Sequence, residues 1–561
     1  MEEKKVFVRK ATGLVREIGM LTGVIIVMAH VVGLGWQKRV FQTIGWLPIK
    51  ETLYWGGLPP LFWAFVACGI VVLLNIFCWS AMGASMPRAG GGYVYVSRIV
   101  NPTLGFVTGW SMFMADVIAY GLIAAACVEA LYLFGMVAGI AVPLTSFLIF
   151  GTGLLVILIF SAVAVFGTKP LVAFMHIIFW IPVVVTILMI AVLLGVTPEA
   201  MEAGIRAITG HGAIEYTRAA LAQGMREVAA PYGMMEAIGV GSIGAYWAYI
   251  GYTATTYVAG EVKEAYKSLP KILFTAGLLI IFLYLLVPTL GARACMMAGR
   301  EAEYSFLSSW GFLSYGKGSL AAAGLPGIKG WIPIAGALAS EGMGLWWMKY
   351  LLVFFGVLWP ANDIPPFIFV CSRIIFAMSF DRVLPETLAA VSARFYSPIN
   401  AIVFVGLFSI LGVLAESDIF APPPWGIGVP WLFTWVNSGS GICATDLWDV
   451  ICFFFASIAA ILFVFRRRDI YEKSPFKIPI AGVPLITIMG VLALFGNLWL
   501  MHVIIFSPYS AMNPAYPEGV ISIAVTVGFI ILGLIIYWAY RARGRAIGVD
   551  YSTVYAEIPP E

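Results

Sequence analysis

The chain has 561 residues, with 33 Lys and Arg against 29 Asp and Glu, a net charge of +4. Hydrophobic residues make up 61% and charged residues only 11%, where an ordinary soluble domain carries roughly 25% charged residues. A water-soluble surface of this size needs far more charge, so the chain is neither disordered nor a nucleic-acid binder, and its apolar excess must face lipid.

A spanning helix needs about 20 mostly apolar residues. Such stretches fall at 17–44, 60–86, 103–134, 142–166, 171–195, 238–260, 271–292, 347–380, 398–415, 447–465, 480–506 and 519–540, twelve in all. The charged opening MEEKKVFVRKATGLVREIGM runs straight into the first of them, so that helix reads as retained and not as a cleaved leader. An even count puts both termini on one side. With both tails cytoplasmic, 22 of the 33 Lys and Arg lie inside, among them Lys4, Lys5, Arg9, Lys10, Arg88, Arg98 and Arg466 to Arg468. The positive-inside rule therefore gives cytoplasmic termini.

Three outer segments are unusually long: 196–237, 293–346 and 414–446. The first opens on Thr197-Pro198-Glu199, a capping residue with Pro at the first helical position. Glu215 to Ala229 (EYTRAALAQGMREVA) also has helical periodicity. Short surface helices over the outer face are expected, serving as a lid, a substrate gate or a partner surface. Cys295 and Cys443 fall in these polar loops, where a disulfide between them is conceivable, while the other cysteines sit in apolar stretches. No zinc-like spacing occurs, and no cofactor is expected.

Two stretches depart from ordinary helix. The first contains Gly33-Leu34-Gly35 near its middle, followed by Lys38 and Arg39. The sixth reads GVGSIGAYWAYIGYTATTYVAGE, with Gly239, Gly241, Gly244 and Gly251 around Tyr246, Trp247 and Tyr249. Glycines weaken a helix and let a ligand approach the backbone, although small residues also serve close helix packing. Two interrupted helices five spans apart suggest an inverted repeat of spans 1–5 and 6–10, with the site between the breaks. Freed amides there suit a carboxylate and freed carbonyls an ammonium.

Several motifs then resemble the amino acid–polyamine–organocation (APC) transporters over about residues 14–540. Pro87-Arg88-Ala89-Gly90-Gly91-Gly92-Tyr93 is similar to that family's P-R-x-G-G-x-Y, and Gly105-Phe106-Val107-Thr108-Gly109-Trp110 to its G-F-x-x-G-W. Gly260-Glu261-Val262-Lys263, Ser372-Arg373 through Leu384-Pro385, and Pro475-Phe476-Lys477-Ile478-Pro479 follow in family order. The resemblance implies an all-α membrane fold of about twelve helices, a 5+5 inverted repeat with two extra spans. It implies secondary amino acid transport, with Gly33, Leu34 and Gly35 holding the substrate carboxylate. Tyr246, Trp247, Tyr249 and Gly251 would form the pocket wall and gate. Some proton-coupled relatives place a Lys deep in span 5; the stretch His176 to Pro182 has none, so that scheme is not expected here.

A charge near the bilayer centre costs at least about 2.5 kcal/mol, which makes each such residue a functional candidate. Asp116 lies in the third span and Asp363 in the eighth, within Trp359-Pro360-Ala361-Asn362-Asp363-Ile364-Pro365-Pro366. The prolines free the carbonyls of Ala361 and Asn362, so Asn362 and Asp363 could bind a proton, Na+ or a substrate ammonium. His30 and His176 could exchange protons near neutral pH.

The chain thus divides into an N-tail (1–16), a ten-helix core (17–465, with repeats 17–195 and 238–465), spans 11 and 12 (466–540) and a C-tail (541–561). The expected activity is transport of an amino acid across the cell membrane by alternating access, coupled to H+ or Na+. The alternative within transport is an exchanger or facilitator for cationic amino acids or polyamines. The alternative outside it is a transport-inactive sensor or accessory subunit. An intramembrane enzyme would need a constellation such as HExxH, which is not present. The oligomeric state stays open.

Overall fold

A computed structural model describes residues 13–140, 144–423 and 425–559; the N-tail cations Lys4, Lys5, Arg9 and Lys10 lie outside the described residues. Among those, eleven helices are long and apolar enough to cross a bilayer. Spans 1 to 5 are Met20–Trp46, Pro60–Ser85, Pro102–Val137, Ser146–Val165 and Thr168–Gly195. Spans 7 to 12 are Ala265–Met296, Met348–Phe380, Ile399–Glu416, Pro430–Arg466, Leu485–Phe506 and Pro517–Ala546. The remaining predicted stretch, span 6, is cut into Met234–Tyr249 and Ala254–Tyr257, 16 and 4 residues, neither long enough to cross alone. The turn between them contains Gly251 at φ 103°, a left-handed conformation that costs glycine nothing.

Spans 3 and 8, 36 and 33 residues long, pack along each other at the heart of the bundle, and span 1 packs against spans 7 and 8. Span 8 stays helical through Pro360, Pro365 and Pro366. Spans 4, 11 and 12 present most of their apolar window outward, as lipid-facing helices do. A two-residue hairpin, Pro479–Ile480 with Val483–Pro484, precedes span 11.

Span 10 departs most from its predicted range. Its main helix starts at Ser438, where the Asn437 side chain accepts the Ser440 amide at 2.9 Å. Residues 438–446, expected in an outer loop, are therefore helical. Cys443 is buried there and Cys295 is buried in span 7, both as free thiols, so the conceivable loop disulfide is absent.

The expected short helices are present: Pro198–Thr209, capped by the Thr197 hydroxyl, then Ala213–Ala222 and Met225–Ala229. Gly224, at φ 85°, divides the last two. Phe306–Tyr315 and Ile332–Gly342 complete the group, and Pro198–Thr209 packs across Ile332–Gly342. At the opposite end, the tail helix Tyr551–Ala556 folds back onto the helix Gly92–Ile99.

Candidate functional site

The two breaks cross each other. Span 1 runs as helix to Val31, loses helical form at 32–34 and resumes as a π-helical turn, Gly35–Arg39. A Cβ on Gly35 would collide with the Ala248 backbone of span 6, and one on Gly251 would lie 2.7 Å from the His30 ring. The hydroxyl of Tyr284, in span 7, lies 2.5 Å from the Val31 carbonyl and 2.7 Å from that of Ala248. One side chain thus serves a freed carbonyl in each break, where the bilayer offers no water. Sequence reading passed over Tyr284 as one aromatic in an apolar run.

Asp363 reaches the break in span 1. The Leu34 amide donates to its carboxylate, and a Cβ on Gly33 would overlap that carboxylate. Glycine at position 33 therefore admits the acid. Asp363 Oδ1 and both polar side-chain atoms of Asn362 have no hydrogen-bond partner among the described residues. Lys349, a cation that could have neutralised Asp363, pairs instead with Glu341 at 2.9 Å.

More carboxylates surround this crossing. Asp116 Oδ1 lies 3.7 Å from His30 Nε2, too far for a good hydrogen bond, and both oxygens and both ring nitrogens are otherwise unpartnered. The His30 ring meets Phe367 of span 8 edge-on at 4.1 Å. From span 10 come Asp446 and Asp449, three residues apart and both fully buried. Tyr246 donates to Asp449 Oδ2 at 2.5 Å; Asp449 Oδ1 and both oxygens of Asp446 have no partner. Neither acid was a candidate from sequence: Asp446 fell one residue before the predicted span start at 447, and Asp449, just inside that start, reads as a residue of the helix end.

Trp247 stays near the crossing, its indole donating to Thr445 Oγ1 at 3.0 Å. Tyr249 turns toward span 2, its hydroxyl donating to the Phe65 carbonyl at 3.2 Å. His176 sits between spans 5 and 1, 3.3 Å from Thr22 Oγ1. The structure thus gathers Gly33, Leu34, Gly35, His30, Asp116, Gly251, Asn362, Asp363, Tyr246 and Trp247, and leaves Tyr249 and His176 facing elsewhere.

Above this centre lies a buried ion-pair network that sequence reading did not assemble. Lys38 Nζ is 2.5 Å from Glu129 of span 3 and 2.7 Å from Glu416 at the end of span 9. Arg39 reaches Glu416 at 3.5 Å and Gln42 at 2.8 Å, and its guanidinium lies 4.4 Å from the Trp247 ring centroid. Lys329, from an outer segment, adds a 3.2 Å contact to Glu129, and Ser438 donates to Glu416 at 2.9 Å. Below the centre, Arg373 of span 8 holds Glu261 through two contacts of 2.7 and 3.1 Å, and Thr168 donates to the same carboxylate at 2.7 Å. Arg98 pairs with Asp381 at 2.6 Å, Tyr93 donates to Asp381 at 2.7 Å, and the Arg88 guanidinium donates to the tail carbonyl of Pro559 at 2.7 Å. Buried ion pairs thus flank the crossing on both sides.

Broken helices crossing inside a many-span bundle, with buried polar groups at the crossing and ion pairs flanking it on both sides, are the architecture of a membrane transporter. A model of the amino acid permease family matches residues 18–540, and the chain belongs to that family. It is 22% identical over 500 residues to the methylthioribose transporter of Bacillus subtilis (strain 168), covering 87% of each chain. Its identity to the mouse b(0,+)-type amino acid transporter 1 is 22% over 567 residues, covering 98% of this chain and 95% of the relative. It is also 24% identical over 357 residues to the vacuolar cationic amino acid transporter 2 of Arabidopsis thaliana, covering 62% of this chain and 48% of that one.

Proposed function

We propose that this permease carries an amino acid with a cationic side chain, or a close amine relative, together with H+. The observation that carries this reading is the unpartnered polarity of the centre. Six oxygens on Asp116, Asp363, Asp446 and Asp449 lack a hydrogen-bond partner, and a buried carboxylate stays ionised only when something answers its charge. Two ammonium groups on one substrate do so, and the cationic amino acid transporters among the relatives agree with that reading.

Asp363 supplies the coupling. The substrate carboxylate belongs at Gly33, Leu34 and Gly35, where Asp363 now accepts the Leu34 amide. Two carboxylates at one set of amides repel unless one carries a proton. Substrate entry therefore displaces Asp363 and recruits H+, and His30 with Asp116 holds a second exchangeable proton beside it. Asn362 and Asp363 could ligate Na+ with the same atoms, which the test below separates. Access alternates by opening the Lys38 network on one side and the Arg373–Glu261 and Arg98–Asp381 pairs on the other. The excess of Lys and Arg near the tails supports cytoplasmic termini and a cell-membrane location. Spans 1–10 are the moving core in this reading, with spans 11 and 12 appended.

The test is uptake into proteoliposomes of a labelled panel (lysine, arginine, putrescine, leucine, glutamate) with a pH gradient and without Na+. Lysine, arginine or the diamine should enter saturably, and Asp446→Asn should lower that uptake at least tenfold. Preference for leucine or glutamate, or an absolute need for Na+, would overturn the reading.

A further inference from the structure

A cavity of about 260 Å³ opens between spans 9, 10 and 12, on the Lys38 side of the molecule. Its wall is almost wholly apolar, with Leu411 and Leu414 from span 9, Ala444 and Trp448 from span 10, and Val525 and Phe529 from span 12. Leu407, Leu411 and Ile521 are exposed around it, so the mouth faces the bilayer. Three hydroxyls interrupt the wall, and two of them are spent on backbone carbonyls: Ser440 donates to Trp435 at 2.7 Å and Thr526 to Ser522 at 2.8 Å. Ser522 lines the cavity at 4% exposure, and its hydroxyl has no hydrogen-bond partner, an arrangement that costs free energy unless a ligand completes it.

The depth of Ser522 identifies that ligand. It lies five residues into span 12, which starts at Pro517, so it sits about 7–8 Å below the helix end at 1.5 Å per residue. The interfacial layer on each side of a bilayer is about 5–8 Å thick, which brings Ser522 to its inner edge, where the ester carbonyls of glycerophospholipids lie. Val525 and Phe529 continue the same helix face about 5 and 10 Å deeper, along the line an acyl chain takes. We propose that this cavity binds one phospholipid from the leaflet on the Lys38 side, with an ester carbonyl accepting from Ser522 and the chain lying between spans 9 and 12.

The bound chain braces the gate from behind. Ala444 and Trp448 form the cavity wall, while the neighbouring Thr445, Asp446 and Asp449 are fully buried and Thr445 accepts the Trp247 indole. Leu414 and Ala415, also in the wall, lead directly into Glu416 of the ion-pair network. Occupancy stabilises the packing that keeps this end closed.

The experiment titrates detergent-purified full-length protein with dioleoylphosphatidylcholine or its dialkyl ether analogue, which lacks the ester carbonyls, and follows the unfolding temperature. The ester lipid should half-saturate the stabilisation at roughly fivefold lower concentration, the equivalent of one neutral hydrogen bond. Ser522→Ala should erase that preference, and Ala444→Trp, which fills the cavity, should remove most of the lipid response. A Ser522→Ala protein that still prefers the ester lipid as the wild type does would overturn the proposal, as would an unaltered response in Ala444→Trp. Should Ala444→Trp fail to fold, the Ser522→Ala comparison decides alone. Neither arm depends on which substrate is carried, so this proposal and the transport reading fail separately.

Discussion

The rims and the centre of the transport path use buried charge in opposite ways. At the Lys38 rim, Lys38, Arg39 and Lys329 meet Glu129 and Glu416, and at the tail side Arg373 and Arg98 meet Glu261 and Asp381. At the centre, Asp116 faces His30, Asp363 accepts the Leu34 amide, Asp449 accepts from Tyr246, and the other six oxygens of the four aspartates, Asp446 included, have no hydrogen-bond partner among the described residues. Composition treats these residues alike, since any charge at membrane depth is expensive. Geometry separates them: rim charges meet opposite charges within the protein, whereas central ones do not, and in the proposed function those are the groups that take protons or cargo. Lys38→Met attacks the first half of that contrast. It leaves Glu129 and Glu416 short of a cation and should cost about 3–5 kcal/mol of stability, seen as a lower unfolding temperature in detergent. Asp446→Asn, at the centre, should cost within about 1 kcal/mol, since it replaces an unpaired carboxylate by a neutral amide. Equal losses would erase the distinction.

Gly33→Val follows in size. Its Cβ would overlap the Asp363 carboxylate, so substrate affinity should fall at least about a hundredfold, or 2.7 kcal/mol, in a ligand-induced thermal-shift assay. Retained affinity would remove the first break from the site. Tyr284→Phe leaves the Val31 and Ala248 carbonyls without their shared donor and should destabilise the protein by about 1–3 kcal/mol. An unchanged unfolding temperature would show that the breaks do not depend on that hydroxyl.

The smallest effect is a pH slope at the rim. Burial, and after it the charge of Glu416, pushes the Asp418 carboxyl up to about 7, from about 3.9 in an unfolded chain. The folded state then binds the proton more tightly, so ionisation opposes folding. Stability assigned to this group should fall as pH rises from about 4 to 7 and level off above. Asp418→Asn should flatten that part of the profile in unfolding scans across the range; an unchanged slope would assign it elsewhere.

Much of this architecture was legible in the chain. Long apolar runs found eleven of the crossings, and the two glycine clusters marked both breaks because glycine is needed where two backbones touch. His30, Asp116 and Asp363 stood out as polar residues in apolar surroundings. Their arrangement was not legible, because the meeting of Gly33 with Asp363 joins spans far apart in sequence. Asp446 and Asp449 were missed for a different reason: hydropathy averaging started the span at 447, nine residues after the helix begins at Ser438, which left Asp446 outside and put Asp449 at an apparent helix end. Glu129 and Glu416 were missed because a buried carboxylate announces itself only beside its partner, Lys38.

The most direct test of the central claim is proton movement with substrate. Proteoliposomes loaded with a pH-sensitive dye and free of Na+ would be given external lysine, with Asp363→Asn measured alongside. The account expects the lumen to acidify as lysine enters, and Asp363→Asn to abolish the acidification. Lysine entry without acidification in the wild type, or acidification that persists in Asp363→Asn, would contradict it.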